Sequence, residues 1–154
     1  MKKFSVLLVA ILALMMLFSS CENEPKERAA TKEDGEIVGG LIMSAMVGDP
    51  VEKKTVEIVE MNEDEGTVEV EFKKAEYKDG EGKVVVVLNG TLTGKANEKT
   101  LTISVDFGDG TKYKGEDHTL LANVVTSYET GDVVSYKIKL DGVILTGLDL
   151  DSIL

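Results

Sequence analysis

The chain has 154 residues and is strongly acidic, with 28 Asp and Glu residues against 17 Lys and Arg and a net charge of −11 at pH 7. A negative field of this size disfavours nucleic acid and anionic lipid surfaces as partners. One histidine, one cysteine and no tryptophan exclude a histidine-rich zinc site and an internal disulfide, and they argue against a sugar-binding face of flat rings.

The first twenty residues have the pattern of a secretion signal. Two lysines provide the positive start, residues 4–18 are apolar except for Ser5, and two serines lead directly to Cys21. The apolar run is shorter than the roughly 20 residues that cross a bilayer comfortably. We therefore predict a signal peptide at residues 1–20, in preference to an uncleaved membrane anchor or a buried core helix.

Residues 17–21, Leu-Phe-Ser-Ser-Cys, resemble the lipobox of bacterial lipoproteins, although Phe18 stands where leucine is usual. The resemblance implies cleavage before Cys21 and attachment of a diacylglycerol to its thiol. Two or more acyl chains attach a protein stably to a membrane, at about 0.8 kcal/mol per buried methylene. We therefore predict that a lipid on Cys21 anchors the protein to the Gram-negative outer membrane. The protein lies on the surface-exposed or on the periplasmic face of that membrane.

Residues 22–34 are polar and charged, with two alanines as the small apolar side chains, and they contain the single arginine, Arg28. Such a segment buries too little apolar surface to offset its chain entropy. It predicts a flexible acidic tether, so that Cys21 and the tether occupy residues 21–34. The remaining residues, 35–154, are enough for one domain of ordinary size.

From residue 54 onward, apolar residues alternate with polar ones between short turns, which is typical of β-strands. Val68, Val70 and Phe72 are predicted to face the core, with the intervening glutamates in solvent. No segment after Asp34 shows a convincing helical period. The predicted strands are residues 55–61, 67–72, 84–88 with 91–93, 101–107, 120–128, 133–140 and 143–145, with residues 37–47 as the candidate first strand.

About eight strands with short connections predict an all-β antiparallel meander. We expect the meander to close into a barrel, since closure removes exposed strand edges, with a two-sheet β-sandwich as the alternative. Asn89-Gly90 predicts a kink or bulge within one strand, and Asp141-Gly142 a turn or bulge before the last one.

Two segments resemble the family of calycin-like β-barrel lipoproteins. Residues 88–94, Leu-Asn-Gly-Thr-Leu-Thr-Gly, followed by the alternating residues 101–106, are similar to the late strands of that family. Residues 65–67, Glu-Gly-Thr, stand where its first acidic hairpin usually has Asp-Gly-Thr, whereas residues 36–39 lack the family's usual aromatic residue. The resemblance implies a lipocalin-like barrel over residues 37–150, without specifying a ligand.

The residues that usually carry catalysis do not form a recognisable motif. His118 lies beside two acids and is predicted to be a solvent-exposed loop histidine, because no Gly-x-Ser-x-Gly elbow accompanies it. Residues 106–111, Asp-Phe-Gly-Asp-Gly-Thr, lack the spacing of a calcium loop and predict a tight hairpin turn. The sequence thus predicts a non-enzymatic protein that uses no metal or cofactor.

Tyrosines are the candidate ligand-binding residues, because each pairs an apolar ring with a hydroxyl; the alternative for each is an ordinary half-buried strand position. The candidates at the barrel mouth are Tyr77, Tyr113, Tyr128 and Tyr136. The predicted function is binding of a small apolar or amphipathic ligand that is neutral or cationic, since the domain lacks an arginine to clamp an anion. The alternative is an interaction module that contacts protein or polysaccharide through its loops. A hollow interior favours the first function and a filled interior the second.

Overall fold

The computed structural model describes residues 26–153, so the predicted signal peptide and Cys21 lie outside the described residues. The described part contains ten strands, one α-helix and two short 3-10 turns at Lys53–Thr55 and Leu150–Ser152. The elements in chain order are β1 (Glu27–Ala29), α1 (Lys32–Val47), β2 (Val56–Asn62), β3 (Thr67–Lys78), β4 (Val84–Ala96), β5 (Thr100–Phe107), β6 (Lys112–Tyr113), β7 (Glu116–Asp117), β8 (Leu120–Ser127), β9 (Val133–Leu140) and β10 (Val143–Thr146).

The strands form one sheet in the order β1-β10-β9-β8-β5-β4-β3-β2, with β6 and β7 paired beside it. All neighbours are antiparallel except β1 and β10, which run parallel. The predicted β-rich meander is therefore confirmed. In the part of the chain that the structure describes, β1 and β2 are edge strands without a pairing between them, so the predicted barrel closure is not seen.

Strands β5 to β8 make one long hairpin. Residue Phe107 of β5 lies opposite Gly90, and Lys112 of β6 lies opposite Val87, so both strands follow the same side of β4 in the same direction. The chain reverses at Lys114 and Gly115, which both have positive φ. The tight turn predicted within residues 106–111 is present, but the prediction that it forms a hairpin is wrong.

Residues 108–111 form a β-turn, in which the Thr111 N–H donates to the Gly108 carbonyl at 3.1 Å, and further hydrogen bonds explain why this turn does not reverse the chain. The Asn89 side chain donates to the backbone oxygen of Asp109, and the Thr111 hydroxyl donates to the backbone oxygen of Asn89. Thr111 is fully buried. These contacts hold the loop against β4 and let the chain continue along it as β6.

The predicted first strand at residues 37–47 is wrong, because this segment belongs to helix α1. Thr31 caps the helix: its hydroxyl accepts from the Asp34 backbone N–H, and the Asp34 carboxylate accepts from the Thr31 backbone N–H. Ile37, Val38, Leu41 and Ile42 then lie on one helical face and are buried. Packing of this face overrides the low helix propensity of the glycines between them.

The predicted tether is also wrong for the residues that are described. Glu27–Ala29 form β1, in which Arg28 lies opposite Leu145 of β10. The Arg28 guanidinium donates to both carboxylate oxygens of Asp34, at 2.8 Å for Nη2 to Oδ1. Asp34 is buried, so the paired and hydrogen-bonded carboxylate ties β1 to the start of α1.

We expect Asp34→Asn to lower the free energy of unfolding by about 2 kcal/mol at neutral pH, through loss of charge-assisted hydrogen bonds and of part of the helix cap. The Arg28 hydrogen bonds, together with those of Thr31, hold the pKa of Asp34 well below its usual range. The stabilisation is therefore present above about pH 4 and is lost as the pH falls toward the depressed folded-state pKa.

Urea unfolding of parent and variant between pH 7 and pH 2 tests this prediction. The difference in the free energy of unfolding between the two chains should become smaller below about pH 4. Glu33→Gln is the matched control, since Glu33 is exposed in the same helical turn, and it should change stability by less than about 0.5 kcal/mol. A difference for Asp34→Asn that stays constant with pH would contradict the ion-pair explanation.

The buried apolar side chains form a single core between α1 and one face of the sheet. Phe72, Ile103, Val105 and Phe107 are buried as predicted, and Val68 and Val70 are half-buried. Helix residues Val38 and Leu41 are fully buried in the same cluster. The core is thus filled from the helix as well as from the strands.

Candidate functional site

A groove of about 700 Å³ lies between one face of α1 and the C-terminal segment that follows β10. Helix residues spaced three or four apart form one wall, residues 147–153 form the other, and the Tyr113 ring lines one part of it. The lining residues are Ala30, Thr31, Lys32, Gly35, Glu36, Gly39, Gly40, Met43, Tyr113, Gly147, Leu148, Asp149, Ser152 and Ile153.

Three glycines shape the helical wall. A Cβ at Gly40 would lie 2.3 Å from Cε2 of Tyr113, and a Cβ at Gly39 would lie 2.2 Å from Cγ2 of Ile153. Helix backbone without side chains therefore lines the groove, and Tyr113 and Ile153 approach it closely. The sequence prediction missed this wall, although the Thr31 and Asp34 capping pair and the Gly35-x-x-x-Gly39 spacing were signals for it.

Hydrogen bonds hold the opposite wall in place. Gly147, at φ 71°, ends β10 and turns the chain. The Leu148 backbone N–H then donates to the Tyr136 hydroxyl at 2.9 Å, and the Val133 backbone N–H donates to the Asp151 carboxylate at 2.9 Å. The wall is therefore fixed to β9.

The charged side chains that line the groove carry a small acidic excess. Two carboxylates, of Glu36 and Asp149, and one amine, of Lys32, line it. Lys114 is near the outer side, with its Nζ 3.9 Å from Glu36 Oε2 and 5.2 Å from the centroid of the Tyr113 ring. Together with the apolar side chains of Met43, Leu148 and Ile153, this lining suits a partly apolar molecule that is neutral or cationic.

The structure does not bring the four predicted tyrosines together. Tyr113 lines the groove, and Tyr136 is half-buried behind it as the acceptor of the Leu148 N–H. Tyr77 is buried in the core, where burial raises its pKa to about 12, and Tyr128 is exposed after β8. Tyr77 is therefore a core residue and not a rim residue, which is a correction to the predicted site.

His118 is not the solvent-exposed loop histidine that the sequence predicts. Its side chain is only 10% exposed, and its Nδ1 lies 2.8 Å from Oδ2 of Asp141. The other Asp141 oxygen accepts from the backbone N–H of Thr119. The cleft beside the pair is lined by Asp109, Gly110 and Asp117 in addition to these three residues, and it contains no serine or cysteine.

Residues 26–153 contain no cluster of three or more His, Cys, Asp or Glu side chains placed to hold a metal ion. In the same described range, no helix is both long and apolar enough to cross a membrane. No protein-family model, curated protein or solved structure matches the chain.

Proposed function

We propose that this chain is a lipid-anchored protein of the Gram-negative envelope that binds a small, partly apolar ligand in the groove between α1 and residues 147–153. The anchor is inferred from the lipobox-like residues 17–21, and the calycin-like relationship from residues 88–94 and 101–106. The groove is the observation that carries the binding function, since its volume of about 700 Å³ lies within the usual range of small-molecule sites.

The core is filled and not hollow, so interior volume by itself favours the interaction module over a ligand held inside a barrel. The surface groove outside the core is the observation that keeps ligand binding as our proposal. In a hollow calycin barrel, a ligand lies between the strands. Here α1 contributes Ile37, Val38, Leu41 and Ile42 to the core that the strand residues line. The groove on the other side of the helix takes over the binding role in our proposal, and the ligand contacts helix backbone, Met43 and the Tyr113 ring.

The charges of the groove define the ligand class. Two carboxylates, of Glu36 and Asp149, line the groove against the one amine of Lys32, so the lining carries an acidic excess of one charge. The single arginine, Arg28, is already paired with Asp34. The ligand is therefore a neutral or cationic amphiphile and not a fatty acid or a phosphorylated compound. The protein acts as a binding protein without catalysis in this proposal.

Ser152→Trp is expected to weaken ligand binding at least tenfold, because an indole on the exposed 3-10 turn occupies the groove that Ser152 lines. The probe is the neutral fluorescent amine N-phenyl-1-naphthylamine, titrated into the chain from Glu22, which keeps every described residue. Thr130→Trp adds the same side chain at the exposed β8–β9 turn and should leave the affinity within about twofold. An equal effect of both variants, or no saturable binding by the parent, would refute the proposed site.

Cys21→Ala is expected to abolish lipidation, because the thiol is the proposed attachment point. Intact-mass spectrometry of protein extracted from membranes of the native host checks this, with the parent chain carrying the mass of a diacylglycerol on an N-terminal Cys21. A parent chain that still begins at Met1, or that carries an unmodified Cys21, would disprove the anchor.

A further inference from the structure

Strand β2 has one side free for pairing. It pairs with β3 on one side, and among residues 26–153 no other strand pairs with it. The Val56 backbone N–H donates to the Lys53 carbonyl, and the backbone groups of residues 57–62 make no hydrogen bond to a described residue outside the β2–β3 ladder. Unpaired N–H and C=O groups along an edge form a template for another extended segment.

One face of this edge is apolar and uncovered. Ile58 lies opposite Val70, and Met61 lies opposite Val68, on the face that carries the buried Phe72. Ile58 and Met61 are each 59% exposed, whereas Phe72 is 2% exposed. The apolar core face of the sheet therefore extends onto β2, where its side chains are exposed to solvent.

The opposite face of the same edge is acidic. Glu57 lies opposite Glu71, and Glu60 lies opposite Glu69, so carboxylates are paired across the two strands. Lys73 contacts Glu57 at 2.8 Å and Glu71 at 3.1 Å. In the described part of the chain, no ion pair balances Glu60 or Glu69. Like charges directly opposite one another repel, and a basic residue on a strand added at the free side of β2 would reduce this repulsion.

These two faces define the partner. We propose that the free edge of β2 binds an extended segment of another protein in which Lys or Arg alternates with apolar residues, and that the segment adds to the sheet as a further strand. The apolar residues of the segment cover Ile58 and Met61, and its basic residues meet Glu57 and Glu60. A second copy of this chain fits poorly, because an antiparallel β2–β2 pairing places these glutamates against one another.

A bulge limits how far the added strand can pair. The register between β2 and β3 shifts between Ile58 and Glu60, so Val59 is an extra residue in β2. Bulges on edge strands restrict indiscriminate pairing. The complementary segment is therefore short, with about three residues on each side of Val59, and its charge pattern supplies much of the selectivity.

Four peptides test the proposal against the chain from Glu22 in a fluorescence anisotropy titration. The alternating peptide Lys-Val-Lys-Val-Lys-Val should bind, the block peptide Lys-Lys-Lys-Val-Val-Val should bind at least tenfold more weakly, and the Glu-Val alternating peptide should not bind. N-methylation of alternate amides in the first peptide should also weaken binding at least tenfold, because it removes backbone donors. Equal binding of the alternating, block and N-methylated peptides would show a purely electrostatic contact and overturn the proposal.

Matched charge reversals locate the contact. Glu60→Lys should weaken binding of the alternating peptide at least tenfold. Glu81→Lys, at the exposed β3–β4 turn, changes the net charge equally and should change the affinity for this peptide by less than threefold. Equal effects of the two variants would overturn the assignment to β2. Ser152→Trp, in the groove, should leave peptide binding unchanged, so the groove and the β2 edge are tested independently of each other. Dimerisation of the parent chain in light scattering, lost in Met61→Thr, would instead assign the edge to a second copy.

Discussion

Phe107→Ala is expected to lower the free energy of unfolding by about 3–5 kcal/mol. Phe107 ends β5 and is 1% exposed in the core between the sheet and α1. Its ring meets that of Phe72 edge-on, with centroids 5.7 Å apart and planes at 88°. The variant therefore loses both the burial of a large side chain and a favourable aromatic pair.

Denaturant titration of the chain from Glu22 measures this loss, with Asp106→Ala as the control. Asp106 precedes Phe107 on the same strand but is exposed, so its replacement should cost less than about 0.5 kcal/mol. The combined Phe72→Ala and Phe107→Ala variant should lose less than the sum of the single losses, because the two rings contact each other. Similar losses for Phe107→Ala and Asp106→Ala would mean that the inward face of β5 is misassigned.

Gly90→Ala is expected to cost about 3 kcal/mol, because a side chain at this position meets the backbone of the neighbouring strand. Gly90 has φ 142°, and its Cβ would lie 2.0 Å from the backbone oxygen of Asp106. A backbone oxygen within a strand ladder has no rotamer with which to move away. Gly90 also lies opposite Phe72 in β3 and Phe107 in β5, so its lack of a side chain leaves room for the two rings to meet across it.

Gly80→Ala is the matched control for this prediction. A Cβ at Gly80 in the β3–β4 turn would meet no atom within 4 Å. The free energy of unfolding of Gly80→Ala should therefore stay within about 1 kcal/mol of that of the parent. It can also rise, because alanine restricts the conformations of the unfolded chain. Thermal unfolding of both variants compares them directly, and a Gly90→Ala variant as stable as Gly80→Ala would contradict the close approach of β4 and β5.

The sequence predicted most of the sheet because strand patterns are local. In residues 67–72 and 101–107, a side-chain period of two with turn residues at both ends leaves few alternatives, and these segments lie in β3 and β5. The β9 strand has the predicted bounds, Val133–Leu140. The extension of β3 to Lys78 was missed, because it passes an irregularity between Phe72 and Ala75 where Lys74 has a positive φ.

The candidate site could not be predicted in the same way, because its parts are distant in sequence. Tyr113 was a sequence candidate because it pairs an apolar ring with a hydroxyl, and it lines the groove; its role in binding stays a prediction. The other wall depends on residues 147–153, which a hydrogen bond to Tyr136 fixes to β9 and whose Ile153 side chain lies close to Gly39 of the helix. No local pattern shows that this segment returns to α1.

By itself, the sequence determined the β-rich class, the meander and the inward rows, because side-chain alternation and turn chemistry act between near neighbours. Only the tertiary structure decided that residues 32–47 are a helix and that residues 27–29 are a strand. Gly39 and Gly40 weaken the helical pattern locally, yet they let Ile153 and Tyr113 pack closely. Arg28 and Asp34 are charged residues typical of a linker, and their pairing stabilises both elements only once the sheet provides β10 as a partner for β1.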